Sequence, residues 1–187
     1  MNGRLSGPEQ VSIARRVLLT DGGVYDNLGL EPVWKSHAIV LCSDGGKPSQ
    51  IEPDSGSAIA ARVSRTVEIF SDQALSLRKR WLIQQFQTGA LGGAYWGLRT
   101  DISGYARHRE GFRGALLSLF AGVRTDLDAF SDDEQRALIN HGWLLADAAL
   151  ESYARALVEE TPTPSGPPFP DMLSPNAVQS ALSRAGG

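Results

Sequence analysis

Asp21, Asp26 and Asn27 fall within seven residues, around a Gly22-Gly23 pair, in the stretch VLLTDGGVYDNLGLEPVW (Val17–Trp34). A carboxylate beside two glycines can do one of two things. It can end a strand, capping backbone N–H groups while the glycines supply positive φ angles. Alternatively, it can serve as a base at the carboxyl end of a buried strand, the edge where open α/β sheets place their ligands. There it takes a proton from a nucleophile within hydrogen-bond reach. Asp44 has the same surroundings, an apolar run followed by Gly45-Gly46, so residue chemistry alone does not rank the two aspartates. Asp26 and Asn27 are candidates for pinning the loop through side-chain to backbone hydrogen bonds. Tyr25 reads as packing.

The elements that must position these groups follow from apolar patterning. Val17–Thr20 and Ala38–Ser43 (AIVLCS) are short apolar runs, read as strands, and the second reads as buried rather than half exposed. Leu28–Lys35 has room for a helical turn or two between them. Two strands with a short helical link predict part of an α/β sheet. From Ile59 to Trp81 the apolar residues recur at 59, 63, 67, 70, 74, 77 and 81, one face of a helix, either unbroken or interrupted near Ser71-Asp72. Gly89–Gly97 (GALGGAYWG) reads as a flexible glycine-rich loop. Ser131-Asp132-Asp133-Glu134 fits a capping box opening a helix to about Val158, with Leu138, Ile139, Leu145 and Ala149 inside. Thr161–Pro170 (TPTPSGPPFP) cannot continue that helix and reads as a linker or an extended tail.

The longer context of Asp21 does rank the aspartates. LTDGGVYDNLGLEPVW resembles the aspartate motif of the patatin-like phospholipases, serine acylhydrolases with a Ser–Asp dyad. RKRWLIQQFQTGALGGAYWGLRTDI (Arg78–Ile102) and RTDLDAFSDDEQRALINHGWLLADAAL (Arg124–Leu150) look like bacterial members of the same family. The likeness runs, with gaps, from about residue 17 to 150. It implies that Asp21 is the dyad base, with Gly22, Gly23 and Asn27 as its supporting loop, and that Asp44 is a loop residue. It also implies a three-layer α/β/α sandwich without metal or organic cofactor, acting on lipid or other acyl-ester substrates.

In that family the nucleophile is the serine of a G-x-S-x-G turn upstream of the aspartate, with a glycine-rich oxyanion loop nearer the N-terminus. Neither is in this sequence: Gly3 and Gly7 enclose Arg-Leu-Ser with Ser6 one place too late, and Gly89–Gly93 and Gly93–Gly97 centre on Leu91 and Tyr95. Lacking the serine and its oxyanion donors, an aspartate has nothing to activate, so the chain alone is expected to be inactive. The expected architecture is therefore the C-terminal portion of a patatin-like sandwich, helix-rich after residue 57. Residues 1–158 would carry the dyad aspartate and residues 159–187 a Pro-rich tail. A non-catalytic remnant that binds lipid or protein is the alternative.

Composition narrows the partners. The 187 residues are 42% hydrophobic and 21% charged, with net charge −3. The eighteen basic residues, all Arg except Lys35, Lys47 and Lys79, are scattered among acids, which argues against nucleic acid. Cys42 is the only cysteine, so neither an internal disulfide nor a thiolate cluster can form, and it reads as an inert core residue. His37, His108 and His141 are too scattered for a metal site. The N-terminal stretch lacks the apolar run of a secretory signal, and a cytoplasmic location is expected. Peripheral membrane contact stays open, through Tyr95 and Trp96 at a lipid-facing rim, or through Arg78-Lys79-Arg80 and Arg107-His108-Arg109 on anionic headgroups. The plainer readings are an apolar plug over the sheet and solvated helix ends. Oligomeric state is not legible.

Overall fold

The computed structural model describes residues 21–46, 58–124, 128–158 and 166–183. The expected strand Val17–Thr20, Ser6 with its flanking glycines, and residues 159–165 lie outside them. A single helical turn, α1 (Gly23–Asp26), leads into further turns over residues 31–36, where Trp34 N–H and His37 N–H donate to the Leu30 and Val33 carbonyls. These are the helical turns expected between Leu28 and Lys35.

Strand β1 (Ile39–Asp44) pairs in parallel with β2 (Gly92–Gly97), with Ile39 opposite Gly92 and Asp44 opposite Gly97. The reading of Gly89–Gly97 as a flexible loop is thus corrected. Its glycines serve close approach: Gly93 has φ +127°, and a Cβ there would lie 1.9 Å from the Val40 carbonyl oxygen.

Between the strands runs α2 (Ile59–Thr88), one helix without a break at Ser71-Asp72; the Ser71 hydroxyl bonds back to the Val67 carbonyl, 3.0 Å, and stays within the helix. It stops at Gly89, φ +71°, whose N–H donates to the Gln85 and Phe86 carbonyls. After β2 come a 3₁₀ turn (Ile102–Gly104), α3 (Ala115–Gly122), α4 (Asp132–Tyr153), 3₁₀ turns at Arg155–Leu157 and Pro170–Leu173, and α5 (Pro175–Ser183).

The pleat sends side chains to two clusters. Val40, Cys42 and Tyr95 face α2, meeting Leu30, Leu82 and Phe86. Ala94 and Trp96 face the opposite way, into the cluster of Phe120, Leu144, Leu145 and Ala148 from α3 and α4. Helices therefore cover both faces of a two-stranded parallel sheet, and the chain is mixed α/β. β1 is not buried on both faces as expected. Its residues alternate, and Ile39 and Leu41 remain 47% exposed because α4 packs on β2 and leaves the outer half of that face uncovered.

The expected capping box opens α4: the Ser131 hydroxyl accepts from Glu134 N–H, 3.3 Å, and Glu134 Oε2 from Ser131 N–H, 2.6 Å. The helix ends at Tyr153, short of Val158, where Ala154 (φ −134°, ψ 32°) diverts the chain into a 3₁₀ turn. Ile139, expected inside, lies on the outer face. The tail assignment is corrected for residues 166–183, which fold back on α4. The buried Asn140 amide clamps the Phe169 backbone through two hydrogen bonds, 2.6 and 3.1 Å. Arg136 pairs with Asp171 at 2.8 Å. Past the prolines, Val178, Ala181 and Leu182 recur at helical spacing and are buried against α3 and α4. Among the described residues no helix is long and apolar enough to cross a membrane.

Candidate functional site

Asp21 is exposed at the start of α1, and its Oδ1 accepts from Gly23 N–H at 2.7 Å. Gly22 has ordinary helical dihedrals (φ −62°, ψ −25°), so this turn needs no positive φ from it. Space is the constraint at Gly23: a Cβ there would lie 2.9 Å from Asn27 Oδ1 and 3.1 Å from Asp21 Oδ1. The second Asp-Gly-Gly repeats the geometry, with Gly46 N–H donating to Asp44 Oδ1 at 3.0 Å. A Cβ on Gly46 would lie 3.4 Å from Asn27 Nδ2. The Asn27 amide is thus wedged between the two turns, and Asp21, Gly22, Gly23 and Asn27 form one local unit.

Asp26 pins the loop as expected: its Oδ2 accepts from Glu31 N–H at 2.7 Å. Its Oδ1 is buried without a hydrogen-bond donor and is balanced by Arg78 Nε at 3.6 Å. Arg78 also donates to the Tyr25 carbonyl and lies over the Tyr25 ring, 4.7 Å from its centre. Arg78 therefore ties α1 to α2, which is more than a solvated helix end does.

Asp44 closes β1 in a cluster that the sequence does not reveal. Its Oδ2 accepts from the Tyr95 hydroxyl at 2.6 Å, and Lys79 Nζ stands 3.5 Å away. The same ammonium lies 4.5 Å from the Tyr95 ring centre. Burial, and then the hydrogen bond to Asp44, push the Tyr95 phenol far above its ordinary value, so it stays a donor. At the carboxyl ends of the two strands this cluster borders a cleft of about 550 Å³, further lined by Ser76, Arg99 and Thr100. Tyr95 and Trp96 belong to the sheet itself: one packs toward α2 and the other into the α4 cluster.

His141 is buried, stacked on Phe120 with ring centres 4.0 Å apart, and its Nε2 lies 2.9 Å from the Leu98 carbonyl oxygen. Burial holds its imidazole below the ordinary value. His37 and His108 are exposed, with Nδ1 on local backbone carbonyls. Among the described residues no three His, Cys, Asp or Glu side chains are placed to hold a metal ion. Arg109 pairs with Asp147 at 3.1 Å, and Arg107 N–H donates to Ser152 Oγ. The Cys42 thiol is buried and pushed up to about 11 by that burial and by the Asp44 charge, which leaves almost no thiolate at neutral pH.

Fold and site together define a mixed α/β chain with two aspartate turns flanking one asparagine, one turn open to solvent and one locked. Compared with known proteins, the chain matches no family model, no curated protein and no solved structure.

Proposed function

We propose that the chain is the C-terminal portion of a patatin-like acylhydrolase and supplies Asp21 as the base that activates a serine on lipid acyl esters. The observation that carries this reading is the state of Asp21. One carboxylate oxygen is fixed by Gly23 N–H at 2.7 Å, while the side chain remains exposed and oriented by its turn. The sequence around it, DGGVYDNLGLEPVW, resembles the family's aspartate motif. Helices on both faces of a parallel sheet suit a three-layer sandwich. The half-exposed Ile39 and Leu41 offer apolar sheet surface on which further structure could pack.

In the completed enzyme the serine oxygen attacks the ester carbonyl carbon while its proton passes to Asp21. The alcohol then leaves, taking that proton, and the acyl group stays on serine. Water repeats the cycle, giving its proton to Asp21 and its hydroxyl to the acyl carbon, and serine recovers the proton.

The test is to express the protein extended by whatever coding sequence precedes Met1 and to assay hydrolysis of a short-chain nitrophenyl ester. We expect a G-x-S-x-G serine in that extension, with Asp21→Asn lowering kcat about 10³-fold or more and Asp44→Asn retaining turnover in any variant that folds. Near-normal activity of Asp21→Asn sinks the assignment. An upstream region without such a serine favours the second reading, a non-catalytic module that binds lipid or protein, which draws on the exposed apolar face of α2.

A further inference from the structure

Among the described residues, β2 is paired along one edge only. Gly92 N–H donates to the Ala38 carbonyl at 2.8 Å and Leu98 N–H to the Asp44 carbonyl at 3.2 Å, with an unbroken register between them. Residues 92, 94, 96 and 98 therefore bond to β1. Each peptide unit is planar and trans, so its N–H and C=O point opposite ways. The backbone N–H and C=O groups of Gly93, Tyr95 and Gly97 thus line the outer edge.

The chain itself closes the carboxyl half of that edge. Gly97 N–H donates to Thr100 Oγ1 at 3.0 Å, Thr100 N–H to the Gly97 carbonyl at 2.8 Å, and the Tyr105 hydroxyl to the Tyr95 carbonyl at 2.9 Å. At the amino half, Gly93 N–H, Gly93 C=O and Tyr95 N–H have no partner among the described residues. Gly93 is buried, and a buried peptide group left bare costs about as much as a lost hydrogen bond. These three groups border a slot of about 430 Å³. Ile83 and Phe86 of α2 form one wall, Tyr105 and Tyr153 the other, and Gly92–Tyr95 the floor. Among the described residues no charged side chain lines it.

We propose that this slot binds an extended, uncharged peptide segment of another protein, which adds to β2 as a third strand. The donor–acceptor–donor order along the edge is what a peptide backbone complements, with its own carbonyls on the two N–H groups and an N–H on the Gly93 carbonyl. A hydrocarbon chain would leave all three groups unpaired. A phosphate or carboxylate would find no cation and would face the Gly93 carbonyl. The two walls also call for apolar or β-branched side chains at successive positions, since these alternate between the faces of a strand.

Other occupants fit less well. β2 of a second copy lies between the same two walls, which hold two such edges apart. The sequence before Asp21 joins the described residues at the end of β1, where Asn27 is wedged between the Asp21 and Asp44 turns. Residues 159–165 bring two acids and two prolines, and a proline has no N–H for the Gly93 carbonyl.

This inference stands apart from the acylhydrolase reading and is tested on the chain as it is. Native-state hydrogen exchange read by NMR comes first. The Gly93 and Tyr95 amides should exchange about tenfold or more faster than those of Ala94 and Trp96, which β1 holds. The probes are N-acetylated, C-amidated hexapeptides alternating threonine with valine, isoleucine, leucine or phenylalanine. At least one should bind with a micromolar Kd and slow exchange at Gly93 and Tyr95. N-methylation of that peptide at alternate nitrogens gives two isomers, and at least one should bind about tenfold or more weakly. Tyr153→Ala removes an exposed wall residue and should weaken binding while leaving the circular dichroism unchanged. Gly93 and Tyr95 amides as protected as Ala94 in the free chain overturn the proposal. So does the absence of binding by every hexapeptide at about 1 mM, or equal binding by both methylated isomers. Binding of decanoate in place of the peptides assigns the slot to an acyl chain and also overturns it.

Discussion

At Asp44 three donors converge: the Tyr95 hydroxyl at 2.6 Å, Gly46 N–H at 3.0 Å and the Lys79 ammonium at 3.5 Å. Asp21, in the same kind of turn, is exposed and takes Gly23 N–H at 2.7 Å. The two aspartates thus differ in engagement: one is crowded by donors, the other held by a single N–H and open to solvent. His141 is a buried base. Burial lowers its affinity for a proton in the folded chain, while the unfolded chain binds one near the ordinary value of 6.5. As pH falls through 6.5 the unfolded state gains a proton that the folded state refuses, so stability is lost on acidification; above that value the term vanishes. Urea midpoints at pH 7.5, 6.5 and 5.5 should fall in that order, and His141→Gln, which keeps a donor for the Leu98 carbonyl, should flatten the decline. An equal decline in the variant would remove His141 from the account. Of these residue-level facts, the Asp21 turn is legible in the sequence because donor and acceptor are two residues apart. The Tyr95–Asp44 bond is not, because it spans 51 residues and depends on strand register.

Elements whose signals are local are legible, and those whose signals depend on a partner are not. The Ser131–Glu134 box announces α4 because both hydrogen bonds close within one turn. The spacing along α2 announces a helix but not its direction, since the stripe that looks like a core face points away from the sheet. Gly89–Gly97 misleads for another reason: composition cannot distinguish a glycine that permits motion from one that permits contact. At Gly93 the distinction is physical. A Cβ would meet the Val40 carbonyl oxygen at 1.9 Å, its carbon at 2.7 Å and the Val40 nitrogen at 2.9 Å, all backbone atoms that cannot yield without parting β1 from β2. Gly93→Ala should therefore cost about 3 kcal/mol or more in chemical denaturation. Gly142, inside α4 with nothing within 4 Å of its Cβ position, supplies the contrast. There Gly142→Ala should gain about 0.5–1 kcal/mol from helix propensity alone. Equal effects at the two sites would refute the assignment of β2 as a paired strand.

For the whole molecule, the two clusters differ in depth. Among the described residues, the one beneath α2 has four buried apolar residues, Leu30, Val40, Cys42 and Leu82. The one around α4 has fifteen, and α5 with its preceding turn supplies Met172, Val178, Ala181 and Leu182. Among the described residues, the Asp21 turn thus sits on the side with fewer buried side chains, while the cluster around α4 holds most of the burial. That asymmetry gives α5 more weight than a Pro-rich approach suggests. Fully burying a Met, Val or Leu side chain stabilises by roughly 1.5–3 kcal/mol each, against a typical total of about 5–15 kcal/mol for a domain. Removing all three also strips cover from Phe120, Leu144 and Leu145. A chain ending after residue 165 should therefore retain much of its helical far-ultraviolet signal, since α2 and α4 account for most helical residues, yet lose near-ultraviolet ellipticity and bind the dye ANS. Asn140→Ala tests the same seam without truncation: it removes the two-bond clamp on Phe169 and should cost about 1–3 kcal/mol by leaving part-buried backbone groups unpaired. If the truncated chain unfolds as cooperatively as the full one, at the same midpoint, α5 is an appendage and the cluster around α4 is sufficient by itself.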